Sequence, residues 1–190
     1  TPGFHAVVIG GAGDIGAAIS NLFCDLGATV TATGANDTDL ARTLLKPREG
    51  LRLATLDVTD DNAVTSFAQQ HTRVDALVNC AGILARDKEY EIATFMKVLD
   101  VNLTGTFLMC RAALPHLLET GGNIVNLAST AALAGHPWAA AYSASKGGIL
   151  ALSETLAVEF GRRGVRTNII APGSVTTPIM NEFAFPDGAD

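Results

Sequence analysis

Tyr142 and Lys146 are separated by Ser143, Ala144 and Ser145 in an alanine-rich, apolar stretch of the chain. On a helix, a spacing of four puts the phenol and the ammonium on one face, one turn apart. A lysine ammonium beside a phenol favours the phenolate and lowers the tyrosine pKa towards working pH. Such a tyrosine can act as an acid or as a base. Ser129 lies thirteen positions before Tyr142, at the end of a strand-like run. Its hydroxyl can hold a substrate oxygen by hydrogen bond while charge develops on that oxygen. A tyrosine four residues before a lysine is common on ordinary helices, so its meaning depends on what else the chain places nearby.

A second group of residues has the chemistry to hold a dinucleotide. The first apolar run, from His5, leads into Gly10-Gly11-Ala12-Gly13-Asp14-Ile15-Gly16 and then into a helical pattern. A pyrophosphate needs backbone N–H groups aimed at it and no Cβ in the way, and a glycine turn feeding a helix N-terminus supplies both. Gly11, Gly13 and Gly16 fit the G-x-G-x-x-G fingerprint in its required strand–turn–helix context. Asp14 falls in the first helical turn, where its carboxylate can point outward and complement the helix dipole.

The elements that must position these groups alternate along the chain. Apolar runs of strand length begin at His5, Ala28, Leu51, Val74, Asn123 and Val165. They carry Val, Ile and Leu on both parities, as strands covered on both faces do. Helical patterns lie between them at 15–26, 37–45, 61–70, 92–119 and 141–160. Pro115 falls inside the fourth and predicts a kink there. Alternation of this kind predicts an α/β fold, a Rossmann-type doubly wound parallel sheet in three layers with right-handed crossovers. In such a sheet the ligand sits beyond the carboxyl ends of the strands, at the point where strand order reverses. Ser129 and the glycine turn both fall at strand ends.

Composition narrows the function classes. The 190 residues are 48% hydrophobic, enough for a single domain over 1–190 but too few for two ordinary ones. The net charge is -6 with no basic cluster, which argues against nucleic-acid binding. Cys24, Cys80 and Cys110 have apolar flanks and lack zinc-ligand spacing, so they are expected as reduced, buried thiols of a cytoplasmic protein, with no metal. The N-terminus lacks a basic region before its apolar run, and no apolar segment is expected to reach membrane-spanning length.

Taken together, these motifs resemble the short-chain dehydrogenase/reductase family, from Ala6 to about Pro178 and with no motif out of order. The Y-x-x-x-K pair with upstream Ser129 is similar to that family's active-site signature. Gly10 and Gly16 match its longer T-G-x-x-x-G-x-G turn, with Ile9 in place of the threonine and Asp14 in place of the middle glycine. Asn79-Cys80-Ala81-Gly82 is similar to its N-N-A-G motif, with Cys80 replacing the second asparagine. Asn102 matches the fourth catalytic residue, which holds a water in a proton relay to the lysine. Asp57 and Val58 match the pair that contacts adenine, and Pro172, Gly173 and Thr177 match the segment that orients the nicotinamide.

The resemblance implies an NAD(P)-dependent alcohol dehydrogenase or ketone reductase, of the 3-oxoacyl-reductase or sugar/polyol type. Its catalytic residues are Asn102, Ser129, Tyr142 and Lys146, and Lys146 also holds the nicotinamide ribose. Cofactor contacts fall on Gly10, Gly13, Asp14, Ile15, Gly16, Asp57, Val58, Asn79, Ala81, Gly82, Pro172, Gly173 and Thr177, together with Tyr142 and Lys146. The cofactor is NAD or NADP. Gly34 stands where an NAD-preferring chain carries Asp, which leans towards NADP, and Asp37 lies close enough to reverse that; Arg42 is a phosphate contact only if its helix turns inward. Leu133, His136 and Trp138 are candidates for the substrate pocket. The partners implied are a small alcohol or ketone and a second copy of the chain, as homodimer or homotetramer, with no nucleic acid and no membrane. Six strands are expected, without the family's usual seventh, which leaves the strand from Val165 as an edge and suggests truncation. The competing class is a non-catalytic dinucleotide-binding sensor or assembly subunit on the same scaffold.

Overall fold

The computed structural model describes residues 3–85 and 88–176. Six strands, β1 (His5–Ile9), β2 (Thr29–Gly34), β3 (Leu51–Thr55), β4 (Ala76–Asn79), β5 (Asn123–Leu127) and β6 (Arg166–Ile170), form one sheet. Their order is β3-β2-β1-β4-β5-β6, and every pair is parallel. Six α-helices cross between them: α1 (Asp14–Asp25), α2 (Asp37–Arg42), α3 (Asp61–Gln69), α4 (Ile92–Leu99), α5 (Gly105–Thr120) and α6 (Ala140–Phe160). This is the doubly wound, three-layer α/β architecture expected from the alternating pattern.

The two faces of the sheet separate by residue parity, because successive strand side chains point to opposite sides. Val7, Ile9, Leu77 and Ile124 pack with Phe67 of α3, with Leu108, Met109 and Leu117 of α5, and with Phe160 of α6. Ala6, Val8, Val30, Ala32, Ala76 and Val78 pack on the other side with Ala17 and Cys24 of α1. Ile9, Leu77, Met109, Leu117 and Ile124 are fully buried. Each contributes roughly 1.5–3 kcal/mol of burial free energy, which fixes the strand register and with it the level at which the strand ends stand.

The fourth crossover adds one feature to the sequence expectation. The helix expected over 92–119 runs without interruption over Ile92–Thr120 with Pro115 inside α5, and its winding widens into a π-helical turn over Asp100–Thr104. The cause is tertiary. Asn102 lies in this turn, its Oδ1 accepts from the Ile83 N–H at 2.8 Å, and its Nδ2 donates to the Ile83 carbonyl at 3.0 Å. Those two bonds draw one residue of the crossover towards the segment after β4, and a π-turn absorbs the displacement. The expectation about membrane-spanning length is corrected: the helical stretch Ile92–Thr120, 29 residues, is long and apolar enough by length and composition. Here Val98, Leu108, Met109, Ala113 and Leu117 from that stretch are buried in the protein.

Among the described residues, β6 is an edge strand, as expected, and Arg166, Asn168 and Ile170 are exposed along it.

At the opposite, amino end of the sheet, His5 and His71 meet across Thr31. His71 Nδ1 lies 2.9 Å from the Phe67 carbonyl, which can only accept, so this nitrogen carries the proton. His71 Nε2 then accepts from the Thr31 hydroxyl at 3.4 Å, and that oxygen accepts from His5 Nε2 at 3.0 Å. Burial holds both imidazoles below the usual histidine range, and the proximity of the two rings lowers His5 further. A histidine with a lowered folded pKa binds more protons when unfolded. Its stabilisation is therefore present above the unfolded value, about 6.5, and is lost as pH falls from there through the folded values. Urea denaturation midpoints should fall between about pH 7 and about pH 5, and a His5→Asn/His71→Gln double variant should lose most of that slope. An equally steep slope in the double variant would assign the acid sensitivity elsewhere.

Candidate active site

The strand order reverses between β1 and β4, where Ile9 is registered against Asn79. The chain after β1 and the chain after β4 therefore leave the sheet side by side. Gly10 turns with φ 71°, and a Cβ there would lie 2.7 Å from the Ala81 nitrogen. A Cβ on Gly16 would collide with the Gly10 carbonyl oxygen. Only glycine fits either place. The Thr33 hydroxyl, at the end of β2, accepts from the Gly10 N–H at 3.1 Å and pins the turn from its far side.

Two adjoining clefts open at these strand ends. The first is lined by Gly10, Gly13, Asp14, Ile15, Gly16, Thr33, Gly34, Ala81 and Gly82. The second is lined by Ser129, Thr130, His136, Tyr142, Lys146, Pro172, Gly173 and Ser174, with apolar Leu84, Leu127 and Val175. Ile15, Cys80, Gly82 and Ile83 border both, so the two form a continuous trough. The first cleft fits a pyrophosphate. Gly13 is the N-cap of α1 and provides no side-chain cap, which leaves the amino end of the helix for an anion. Asp14 borders this cleft and is half-buried.

The second cleft collects the candidate catalytic groups. Ser129 follows β5, and Thr130 N–H donates to the Pro172 carbonyl at 3.0 Å, which joins the segments after β5 and β6. Ser129 Oγ accepts from the Ala131 N–H at 3.2 Å and caps a short 3-10 turn. Tyr142 stands in the first turn of α6, and Lys146 Nζ lies 5.6 Å from the centre of its ring. Lys146 is buried, and its Nζ donates to the Leu127 carbonyl at 2.7 Å. Burial brings the Lys146 ammonium down to about 8. Burial also pushes the neighbouring Cys80 thiol up to about 12, against the pull of Lys146. Cys24, Cys80 and Cys110 are all free.

Other candidates fall elsewhere. Asn102 is fully buried, and besides its two bonds to Ile83 its Nδ2 donates to Ser145 Oγ at 3.0 Å. Asn79 does not line the trough; its Nδ2 donates to Asn126 Oδ1 at 2.8 Å, and Asn126 Nδ2 donates to Ser153 Oγ at 2.8 Å, a buried chain from β4 through β5 to α6. Asp57 and Val58 lie beyond its lining as well. The Asp57 carboxylate accepts from the Thr59 hydroxyl and N–H, which hold it below the usual carboxylate range, and Val58 packs on Gly105. Thr177 lies outside the described residues. Of the three pocket candidates, His136 lines the second cleft; Leu133 is exposed, and Trp138 has a left-handed φ of 52° in the same loop.

At the adenosine end, the carboxylate on the rim belongs to Asp39 rather than Asp37. Asn36 caps α2 by accepting from the Asp39 N–H, and the Asp39 carboxylate swings back to accept from the Ala35 N–H at 3.0 Å. Capping thus selects the third helical residue to face inward. Arg42 borders the cleft too. Two contributors to the site, Thr33 and Glu89, belong to no sequence motif. Thr33 could have been suspected as a threonine on a buried strand next to the glycine turn. Glu89, a buried carboxylate between the two halves of the site, carried no signal to separate it from Glu91.

Comparison with known proteins places this geometry in a family. Residues 4–185 match the family model described as short chain dehydrogenase. D-threitol dehydrogenase of Mycolicibacterium smegmatis is 40% identical over 184 residues, 92% of this chain and 71% of that protein. 2-Dehydro-3-deoxy-L-rhamnonate dehydrogenase (NAD(+)) of a Sphingomonas strain is 35% identical over 186 residues, 94% of this chain and 74% of that protein. The solved structure of ElxO with NADP bound superposes with a TM-score of 0.85 at 28% identity, covering 94% of this chain and 77% of that one. The chain belongs to the short-chain dehydrogenase/reductase family. It is an NAD(P)-dependent oxidoreductase of that family, in which the glycine turn and trough fit the dinucleotide.

Keeping an ammonium buried has a cost to the fold. Lys146 has a folded pKa below its unfolded value, so it destabilises the protein most below about pH 8, and the penalty fades as pH rises towards the unfolded value of about 10.4. Lys146→Met should therefore raise stability at pH 7 by on the order of 1–3 kcal/mol, with a gain that shrinks in alkali. Thermal melts across pH check this. A variant that melts lower at pH 7 would show that the Leu127 hydrogen bond outweighs desolvation.

Proposed function

We propose that the chain transfers hydride between a nicotinamide dinucleotide and a secondary alcohol or ketone, with Tyr142 as the acid/base. The observation that carries this reading is the convergence of Ser129, Tyr142 and buried Lys146 on one cleft continuous with the glycine-turn cleft. In the oxidation direction, Ser129 Oγ donates to the substrate oxygen and holds the carbinol in place. Tyr142, as phenolate, takes the hydroxyl proton; the Lys146 ammonium beside its ring favours that phenolate. A nicotinamide dinucleotide bound in the glycine-turn cleft would supply the hydride acceptor for the carbinol carbon. In reduction the same phenol returns the proton. Lys146 would also hold the ribose of the nicotinamide half, and Pro172 and Gly173, which wall the same cleft, would flank its ring. Asn102 acts one step removed, fixing Ile83 and Ser145 around the cleft.

Ser129, Thr130, His136 and Ser174 set hydroxyl and imidazole groups among apolar Leu84, Leu127 and Val175. This mixture suits a small polyhydroxylated substrate of the sugar or polyol type, with His136 meeting a hydroxyl away from the reacting carbon. The names of the threitol and rhamnonate dehydrogenases support the same class. Between the dinucleotides we place NADP ahead of NAD, because Gly34 brings no carboxylate, Arg42 borders the adenosine end, and Asp39 is engaged by Ala35. Exposed Ile92, Met96, Phe107 and Val158 on α4, α5 and α6 support a homodimer or homotetramer. Three free thiols suit a cytoplasmic setting.

The test is appearance of reduced nicotinamide when the protein meets a panel of tetritols, pentitols, aldoses and simple secondary alcohols. Tyr142→Phe should lower kcat by about a hundredfold to ten-thousandfold while dinucleotide affinity stays within about threefold. Unchanged turnover in Tyr142→Phe would remove the tyrosine from the chemistry. Binding of dinucleotide without turnover of any panel member would favour a non-catalytic sensor.

A further inference from the structure

Glu89 is only 1% exposed, in the segment between β4 and α4. Its Oε2 accepts from the Tyr142 N–H at 3.0 Å, and its Oε1 accepts from the Ala85 N–H at 3.2 Å. The first of these bonds answers a need of α6. The N-cap of that helix is Ala139, which has no side chain able to cap, and the first intrahelical bond runs from Ser143 N–H to the Ala139 carbonyl. Tyr142 is the third residue of the helix, so its N–H is one of the orphan donors that an N-cap serine or aspartate ordinarily satisfies. A carboxylate fifty-three positions earlier in the chain takes that role instead. It sits at the positive end of the helix, where a negative charge is stabilised.

The second bond fastens the cleft wall. Ile83 is gripped on its N–H and carbonyl by Asn102, and Ala85 is held by Glu89. Ile83 and Leu84, between these anchors, line the cleft in front of Tyr142. One carboxylate thus couples the wall facing the substrate to the helical turn that presents the phenol. Core burial of a carboxylate is costly unless both oxygens are served, and both are.

We infer that Glu89 is a positioning residue for the reaction: its buried carboxylate caps α6 at Tyr142 and ties that turn to the 83–85 wall, fixing where the phenol stands relative to Lys146. This inference rests on the acid/base assignment of Tyr142.

Two variants test it. Glu89→Ala removes both acceptors. Glu89→Gln keeps the shape and one acceptor oxygen, removes the charge, and turns an amide N–H towards one of the two peptide donors. Expected is a fall in kcat of about tenfold to a hundredfold for Glu89→Ala and several-fold for Glu89→Gln, with KM for the dinucleotide unchanged within about twofold. A readout independent of turnover is the ultraviolet difference titration of Tyr142 in a Tyr90→Phe background, since the chain has 2 tyrosines. With the turn less firmly held against Lys146, the phenol midpoint should shift by about half a unit or more in Glu89→Ala and measurably in Glu89→Gln. A folded Glu89→Gln protein with unchanged kcat and unchanged phenol midpoint, differing only in melting temperature, would reduce Glu89 to a structural cap and overturn the inference. If the parent protein turns over no substrate, the hydride-transfer reading fails, and the phenol titration still decides the role of Glu89.

Discussion

The buried ammonium of Lys146 is the constraint around which the site is arranged. A lysine held out of water needs an acceptor, and the Leu127 carbonyl at the end of β5 supplies one at 2.7 Å. That bond fixes α6 against the sheet at the level where the strands end. It also spends stability, because the low-dielectric surroundings disfavour the charge and bring its pKa to about 8. The same desolvation that weakens the ammonium strengthens its field on its neighbours. The Tyr142 ring, 5.6 Å away, feels it, and so does Cys80, whose thiol is nonetheless pushed up to about 12 by burial. A surface lysine at the same helical spacing would be screened by water and would do little to a phenol.

Everything else in the fold brings groups to that point. Parity along β1, β4 and β5 buries both faces of the sheet and sets the strand register. Register in turn brings the glycine turn after β1 beside the Cys80–Gly82 segment after β4, and the Ser129 segment beside Pro172. Three buried polar residues then lock the loops. Asn102 draws a π-turn into the crossover to reach Ile83, Glu89 spans from Ala85 to Tyr142, and Asn79 bonds to Asn126, which reaches Ser153 on α6. Each satisfies backbone or side-chain donors that would otherwise be stranded. The helices would still pack without these three residues, but the cleft would lose its fixed walls.

What could be read from the residues alone follows from the range of the forces involved. The sheet was legible because strand burial repeats with a local period, and the glycine turn because its strand–turn–helix context is contiguous. Tyr142 and Lys146 were legible because one helical turn separates them. The π-turn at Asn102 was not, since it is imposed by Ile83, nineteen positions away. Choosing Asp39 over Asp37 required knowing that Asn36 is the cap of α2. Glu89 and Glu91 look alike in sequence, and only the packing of α6 distinguishes them. Asn79 and Asp57, read from motif position as ligand contacts, also bond within the protein, to Asn126 and to Thr59.

Catalysis at this site requires that the trough hold a nicotinamide beside Tyr142 and Lys146. Trp138, the chain's 1 tryptophan, lies in the loop between His136 and α6. The most direct measurement is therefore titration of the folded protein with NADPH or NADH while exciting Trp138 and recording nicotinamide emission. The account predicts saturable quenching of the tryptophan with matching sensitised nicotinamide emission, tighter for NADPH and abolished by a bulky residue in the turn, as in Gly10→Val. Saturation without energy transfer, or no saturation with either dinucleotide, would contradict it.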